Sequence, residues 1–354
     1  MPDLFTTIAA IQPLDAAAMA AATARQGMLT KPPLALGRLE TLSIQLAGIT
    51  GVPLPRLARK AVAVMAGDHG VTAEGVSAFP SEVTPQMVYN FVAGGAAINV
   101  LSRQVGARVV VTDVGVAADL AGCDGVRHRK VRAGTANMAT GPAMTRAEAL
   151  QAFQVGIDLV EELAADGLDI LATGEMGIGN TTPSSAIIAA LTGLPAARVT
   201  GRGTGVSDAG LARKVEVIAR ALAVNAPDRD DPVDVMAKVG GLEIAALAGA
   251  MLAAAARRIP VVMDGFISGA AALTAARLCR GMADYILPSH LSVEVGHQVV
   301  FAELGLTPLF DLQMRLGEGT GAVLGIFLAD AAARTLCEMA TFESAGVASE
   351  TVNA

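Results

Sequence analysis

Five short apolar runs punctuate the 354-residue chain: "KAVAVMAG" (60–67), "ARVVVTDVG" (107–115), "LDILATG" (168–174), "IPVVMDG" (259–265) and, more weakly, "DYILPSH" (284–290). Each is apolar at consecutive rather than alternate positions, which is the pattern of a strand covered on both faces. Between them the spacing turns helical, as in "AAINVLSRQV", "RAEALQAFQVGIDLVEELAADG" and "LEIAALAGAMLAAAARR". Strands alternating with helices predict an α/β fold with a mostly parallel sheet covered by helices on both sides. Residues 1 to about 50 read as helical, broken at Pro32-Pro33, and lie outside this alternation, as does the C-terminal end. The pattern predicts a main α/β domain over 56–325 and a small helical domain built from 1–55 and 326–354. The last stretch, "ESAGVASETVNA", is small and polar and is expected to fray. There is no internal repeat.

Each predicted strand ends in a polar or glycine-rich turn: Gly67-Asp68-His69-Gly70, Asp113-Val114-Gly115, Gly174-Glu175, Asp264-Gly265 and Ser289-His290. Ligands of open α/β sheets bind beyond the carboxyl ends of the strands, so these turns are expected to converge on one crevice.

Composition narrows the function classes. Hydrophobic residues make up 53% of the chain, enough for a large core. A net charge of -7 without a basic block argues against a general nucleic-acid surface. Cys123, Cys279 and Cys337 are scattered and odd in number, which points away from a zinc ribbon or disulfide framework and toward a reducing cytoplasm. The N-terminus has no basic n-region of a signal peptide. The longest apolar stretch, 244–256, is shorter than the roughly 20 residues of a membrane span and reads as a buried helix.

Candidate chemistry is densest in "TGEMGIGNTTPSSAI" (173–187), where a strand runs through glycines into Asn180, Thr181, Thr182 and Pro183. Thr182 suits an N-cap and Pro183 a first helical turn. Amides at such a helix start can cradle a phosphate, and a capped helix after a tight turn reads equally well. No Walker A lysine and no regular G-x-G-x-x-G is present. A second glycine loop, "GRGTGV" (201–206), precedes a helix that Ser207 can cap and that carries Lys214. Taken alone, Lys214 reads as a solvated helix residue; beside a phosphate cradle it becomes a counter-charge. Asp68, His69, Glu74 and Glu82 match no metal spacing and read as a polar loop lining the crevice. The remaining histidines, His128, His290 and His297, form no set in the sequence, and no serine-nucleophile elbow occurs. Asp264 lacks the adjacent second acid of a magnesium–diphosphate site. Last, "RLGEGTGAVL" (315–324) isolates one acid, Glu318, between Gly317 and Gly319. Glycine weakens regular structure by roughly 0.5–1 kcal/mol relative to alanine, so its clustering marks a sharp turn or close approach to a ligand.

Together "AGDHGV" (66–71), "EVTPQMVYNFVAGGAAINVL" (82–101), "GEMGIGNTTPSSA" (174–186), "KVGGLEIAALAGAML" (238–252), "DGFISGAAAL" (264–273), "PSHLSVEVGH" (288–297) and "MRLGEGTGAVL" (314–324) resemble the nicotinate-nucleotide–dimethylbenzimidazole phosphoribosyltransferase family of cobalamin assembly. The resemblance implies a cytoplasmic homodimer with a Rossmann-like large domain and a small helical domain. It implies transfer of phosphoribose from nicotinate mononucleotide to 5,6-dimethylbenzimidazole, inverting the anomeric carbon, without a cofactor or metal. It makes Glu318 the general base and Glu175 a second active-site acid. Gly177, Asn180, Thr181 and Thr182 are expected at the phosphate, with Gly203, Lys214, Ser292, Arg315 and Gly317 completing the donor site. Phe79, Met87, Leu316 and Asp264 are expected at the acceptor; at the first two of these, some family members carry serine and glutamine.

The chemistry suits a single base. Nicotinate leaves neutralised on its ring nitrogen and needs little acid assistance. As benzimidazole attacks through one nitrogen, the N–H on the other becomes acidic, and one carboxylate can take the proton. Glycosidases, by contrast, work with a carboxylate pair. An apolar slot around Glu318 is expected to raise its pKa by desolvation. A hydrolase passing ribose to water would need a water-activating acid cluster, for which no D-x-D-rich motif appears. A non-catalytic nucleotide-binding regulator would not need Glu318.

Overall fold

The computed structural model describes residues 1–348. One sheet holds six strands: β1 Lys60–Gly67, β2 Ala107–Gly115, β3 Val126–His128, β4 Ile170–Met176, β5 Val261–Met263 and β6 Ile286–Pro288. Their order is β3-β2-β1-β4-β5-β6, and every neighbouring pair is parallel. This is the doubly wound order, reversing between β1 and β4. The five predicted strands are present. β4 runs two residues past its apolar run, to Met176, which brings Glu175 into the strand. The edge strand β3 has no apolar run to announce it; two of its three residues, Arg127 and His128, are exposed.

The helix Leu242–Ala256 has no polar face and is buried along its length, as its composition predicts. It packs on the helix Arg146–Ala165, which Thr145 and Glu148 cap reciprocally. A longer apolar element lies elsewhere. The helix Thr320–Glu338 has the length and hydropathy to cross a membrane, by those two measures alone. Here it is a core helix. Ala322, Val323, Ile326, Ala329 and Ala333 are buried, and it packs on β4, β5 and the helices Ala97–Val105 and Arg38–Thr50.

The chain ends meet at its C-terminal half. Arg25, in the helix Ala16–Met28, donates to the carbonyls of Leu336, Cys337 and Met339 at 2.7–3.2 Å. Fraying does not begin at Glu343 as expected: Thr341 caps a helical turn over Phe342–Ala345. Residues 349–354 of the expected frayed tail lie outside the described residues.

Candidate functional site

A cavity of about 320 Å³ opens at the carboxyl ends of β4, β5 and β6. Its volume is at the lower end of the range for small-molecule sites. Glu175, Gly177, Asn180, Thr181, Gly203, Asp264, Ser292, Arg315, Leu316, Gly317, Glu318, Phe79 and Met87 line it; Thr182 and Lys214 stand behind the wall.

One end is acidic. Gly317, Glu318 and Gly319 all have positive φ, +83°, +63° and +99°. A non-glycine residue in this region costs on the order of 1–2 kcal/mol, so the turn needs external support. Asp264 supplies it, accepting from Gly319 N–H at 3.2 Å and Ala322 N–H at 3.0 Å, which also caps the helix Thr320–Glu338. Thr320 Oγ1 donates to Gly317 O at 2.8 Å. A Cβ at Gly317 would collide with Glu175 Oε1, so the turn closes only with bare backbone there.

Glu318 is buried, and its Oε2 accepts Ile98 N–H at 3.1 Å, at the start of the helix Ala97–Val105. Burial pushes its pKa up, against the pull of that amide. Burial also pushes Glu175 up to about 8, helped by the neighbouring Asp264 carboxyl and opposed by Asn180 Nδ2, which donates to it. Asp264 is pushed up to about 7 by burial, against its backbone donors.

The opposite end holds a buried cation. Lys214 is 1% exposed, not the solvated residue its helix suggested. Its Nζ donates to Thr181 Oγ1 at 2.5 Å, and burial brings its pKa down to about 8 against the nearby Glu294 charge. Ser207 caps this helix, Asp208–Asn225, and so fixes the register that turns Lys214 inward. Gly203, at φ +52°, lies so close that a Cβ would stand 2.6 Å from Thr181 Oγ1 and 2.9 Å from Lys214 Nζ. Arg315 Nη1 donates to Gly203 O at 3.1 Å.

The turn between β4 and the helix Thr181–Thr192 corrects one reading. Asn180, not Thr182, is the N-cap, and its side chain turns to Glu175 instead of the helix. The tight turn closes with Asn180 N–H on Gly177 O at 3.1 Å, so the helix starts early and draws Thr182 inward. Thr182 N–H bonds Gly179 O at 2.9 Å, and its buried Oγ1 has no partner. The amides of Asn180 and Thr182 are therefore spent inside the turn.

The strand-end turns do not all converge. After β1, His69 Nε2 and Glu243 Oε1 form a buried pair at 2.8 Å, and Asp68 accepts from Ala117 N–H at 2.8 Å. Burial works against the charged imidazole, but Glu243 outweighs it and raises the His69 pKa. Glu74 bonds Asn137 and Arg220. After β2, Asp113 accepts Val116 N–H at 2.9 Å. The first residues of the helix Leu242–Ala256 plug the β1 end, which leaves the ends of β4–β6 for the cavity.

Sequence reasoning missed Phe266 and Glu294 in the lining, whereas His290, from the Ser289-His290 strand-end turn, reaches it as expected. His290 and His297, unrelated by spacing, bring their rings to 6.1 Å, and burial lowers them to about 4 and about 3. His297 Nδ1 accepts Ser292 N–H at 3.1 Å, which fixes the loop that carries Glu294. Glu294 bonds a loop 91 residues away in the chain, a pairing no local pattern encodes.

A family model described as "Phosphoribosyltransferase" matches residues 11–347. The chain is 61% identical over 350 residues to a nicotinate-nucleotide–dimethylbenzimidazole phosphoribosyltransferase of Roseiflexus sp. (strain RS-1), covering 99% of each chain. It is 57% identical to a protein of the same name from Geobacter sulfurreducens, covering 98% of each. Among solved structures it resembles CobT from Thermus thermophilus, with a TM-score of 0.91 and 50% identity over 94% of this chain and 100% of that one.

Proposed function

The chain belongs to the nicotinate-nucleotide–dimethylbenzimidazole phosphoribosyltransferase family, and from that premise we propose how its cavity performs the reaction. The enzyme transfers phosphoribose from nicotinate mononucleotide to 5,6-dimethylbenzimidazole, giving nicotinate and α-ribazole 5′-phosphate, in the nucleotide-loop branch of cobalamin biosynthesis. Glu318 is the general base. The observation that carries this assignment is the left-handed Gly317–Gly319 turn, which holds one buried carboxyl against a largely apolar cavity. The benzimidazole lies among Phe79, Met87, Leu316 and Phe266, with its N–H toward Glu318. Its other nitrogen attacks the anomeric carbon as nicotinate departs.

Glu175, with a pKa near 8, is protonated at neutral pH. It orients the ribose and leaves proton transfer to Glu318. Asp264 serves the acceptor slot by holding the Glu318 turn. The donor's phosphate sits against Thr181, Gly203, Ser292 and Arg315, with the Lys214 charge directly behind Thr181 and Gly203, Gly177 and Asn180 on its ribose side and Thr182 supporting the helix start from within. A base of this kind contributes about 10²–10⁴-fold, and fixed orientation of donor and acceptor supplies much of the rest.

We assign residues 1–55 and, of the described C-terminal residues, 326–348 to a small helical unit and 56–325 to the α/β domain. Contacts of Ala18, Ala22 and Ala47 with Leu336 support this, and the 325/326 boundary falls within the helix Thr320–Glu338, which both units share. A cytoplasmic homodimer completes the reading.

The test is turnover of nicotinate mononucleotide with and without dimethylbenzimidazole, with Glu318→Gln in parallel. Nicotinate release that needs the acceptor and is lost in the variant is expected. Release without acceptor would make the chain a hydrolase.

A further inference from the structure

Glu294 has no part in the assignment above, yet it lines the cavity and is 6% exposed. Its Oε1 accepts Gly203 N–H at 2.9 Å, and its own N–H donates to Ser292 Oγ at 3.3 Å. Its Oε2 is buried against Gly201 without a hydrogen-bond partner. A carboxylate beside a phosphate subsite repels the ligand through space. Its place in the structure suggests what it does instead. Gly203 is tied at both ends, its N–H to Glu294 and its C=O to Arg315, and Lys214 Nζ and Thr181 Oγ1 fill the space where a Cβ would stand.

We propose that Glu294 is a positioning residue for the donor site: by holding Gly203 N–H it fixes the Gly201–Gly203 loop against Lys214, the cation that serves the donor's phosphate. The inference rests on the reading that the phosphate binds at Lys214. The charges around Lys214 single out Glu294. The packed helix Thr181–Thr192 presents Thr181, which is uncharged. On the helix Ala196–Val199 the charged residue is Arg198, which is exposed. On the helix Pro232–Val239, Asp234 and Lys238 pair with each other at 2.9 Å. Arg315 is a second cation, which favours loss of the lysine proton. Burial pulls Lys214 toward neutrality, and Glu294 is the charge that opposes it.

The sign of the effect is diagnostic. If Glu294 merely repelled phosphate, Glu294→Gln would tighten donor binding. Positioning predicts the reverse. The glutamine keeps an acceptor for Gly203 N–H but loses the charge, so Lys214 gives up its proton at lower pH. The experiment is the pH profile of kcat/KM for nicotinate mononucleotide from about pH 6 to about pH 10, in wild type, Glu294→Gln, Glu294→Asp and Lys214→Met. The phosphate-free nicotinate riboside serves as a second donor.

Glu294→Gln is expected to raise KM for the nucleotide about 5–20-fold at pH 8, the cost of one charge-assisted contact. It is also expected to move the alkaline limb down by about one unit or more, the shift that such a change in KM at pH 8 requires. kcat and the riboside reaction should change little, and Glu294→Asp should restore the limb. An unchanged or lower KM, or an unmoved limb, in Glu294→Gln overturns the proposal while Lys214→Met still raises KM. If Lys214→Met leaves the nucleotide KM unchanged, the phosphate reading itself fails and takes the proposal with it.

Discussion

The two ends of the cavity use burial in opposite directions. At one end Glu318, Glu175 and Asp264 are desolvated and their pKa values rise; at the other Lys214 is desolvated and its pKa falls. Both shifts bring groups that are ordinarily far from titrating toward neutral pH. Support differs as well. The acid end relies on backbone donors aimed at Asp264 and on a strained left-handed turn, whereas the cationic end relies on side-chain partners reached through Gly203. A cavity with raised carboxyl pKa values at one end and a buried cation at the other suits the proposed pair of substrates, a donor that is anionic at its phosphate and an acceptor that gives up a proton where it reacts. The same desolvation that tunes these groups costs stability, with opposite dependence on pH.

The strongest way to break the comparison is to remove the proposed base. Glu318→Gln is expected to lower kcat by about 10²–10⁴-fold with little change in the donor KM, measured by steady-state release of nicotinate. Retained kcat would remove Glu318 from the proton-transfer step.

Lys214→Met probes the other end. It is expected to raise KM for nicotinate mononucleotide by about 10–100-fold while kcat falls far less, as loss of a charged contact made in ground and transition states alike requires. An equal fall in kcat would place the lysine in transition-state stabilisation instead of anchoring.

Next is the turn itself. Gly317→Ala forces a Cβ into a left-handed position and against Glu175, and is expected to destabilise the fold by about 1–3 kcal/mol in chemical denaturation and to cut activity with it. Unchanged stability would mean that the turn relaxes freely.

The smallest effects concern pH and stability, and they sharpen the contrast. Glu175 has a folded pKa above its unfolded value, so its stabilising contribution is full below about 4.5 and is lost as pH rises through about 8. Glu175→Gln should therefore raise Tm by a few degrees at pH values above 8 and leave it unchanged near pH 4. Lys214 has a folded pKa below its unfolded value, so its cost is full below about 8 and disappears as pH rises through 10.5. Lys214→Met should raise Tm at neutral pH, with a gain that shrinks toward pH 10.5. Thermal melts of both variants across pH test the pair of slopes; parallel slopes would contradict the opposed burial of the two ends.

Much of this molecule was legible in the sequence because it is encoded locally. Continuous apolar runs of strand length marked five strands, since a strand buried on both faces has no polar positions to spare. The glycines around Glu318 announced a special turn, since few other residues tolerate positive φ. Ser207 announced its helix, since a hydroxyl there accepts an orphan amide. Resemblance over several motifs brought the predicted residues to one region, and the cavity holds most of them.

What the sequence could not decide was set by contacts between distant segments. Lys214 looks solvated until the helix that carries it is packed on the start of another. Thr182 looks like a cap until the turn before it closes early. The loop of Asp68 and His69 looks like a cavity wall until Glu243, 174 residues from His69, fills the end of its strand. Glu294 has no pattern at all before Gly203 is placed beside it. Backbone propensity and hydrophobic period are properties of neighbouring residues, so the chain by itself determined the five buried strands, the helices between them and the special turn, but not the edge strand β3. Burial and charge pairing are properties of segments brought together in space, so only the tertiary structure decided which acids are pushed toward protonation, which lysine is stripped of water and which strand ends remain open.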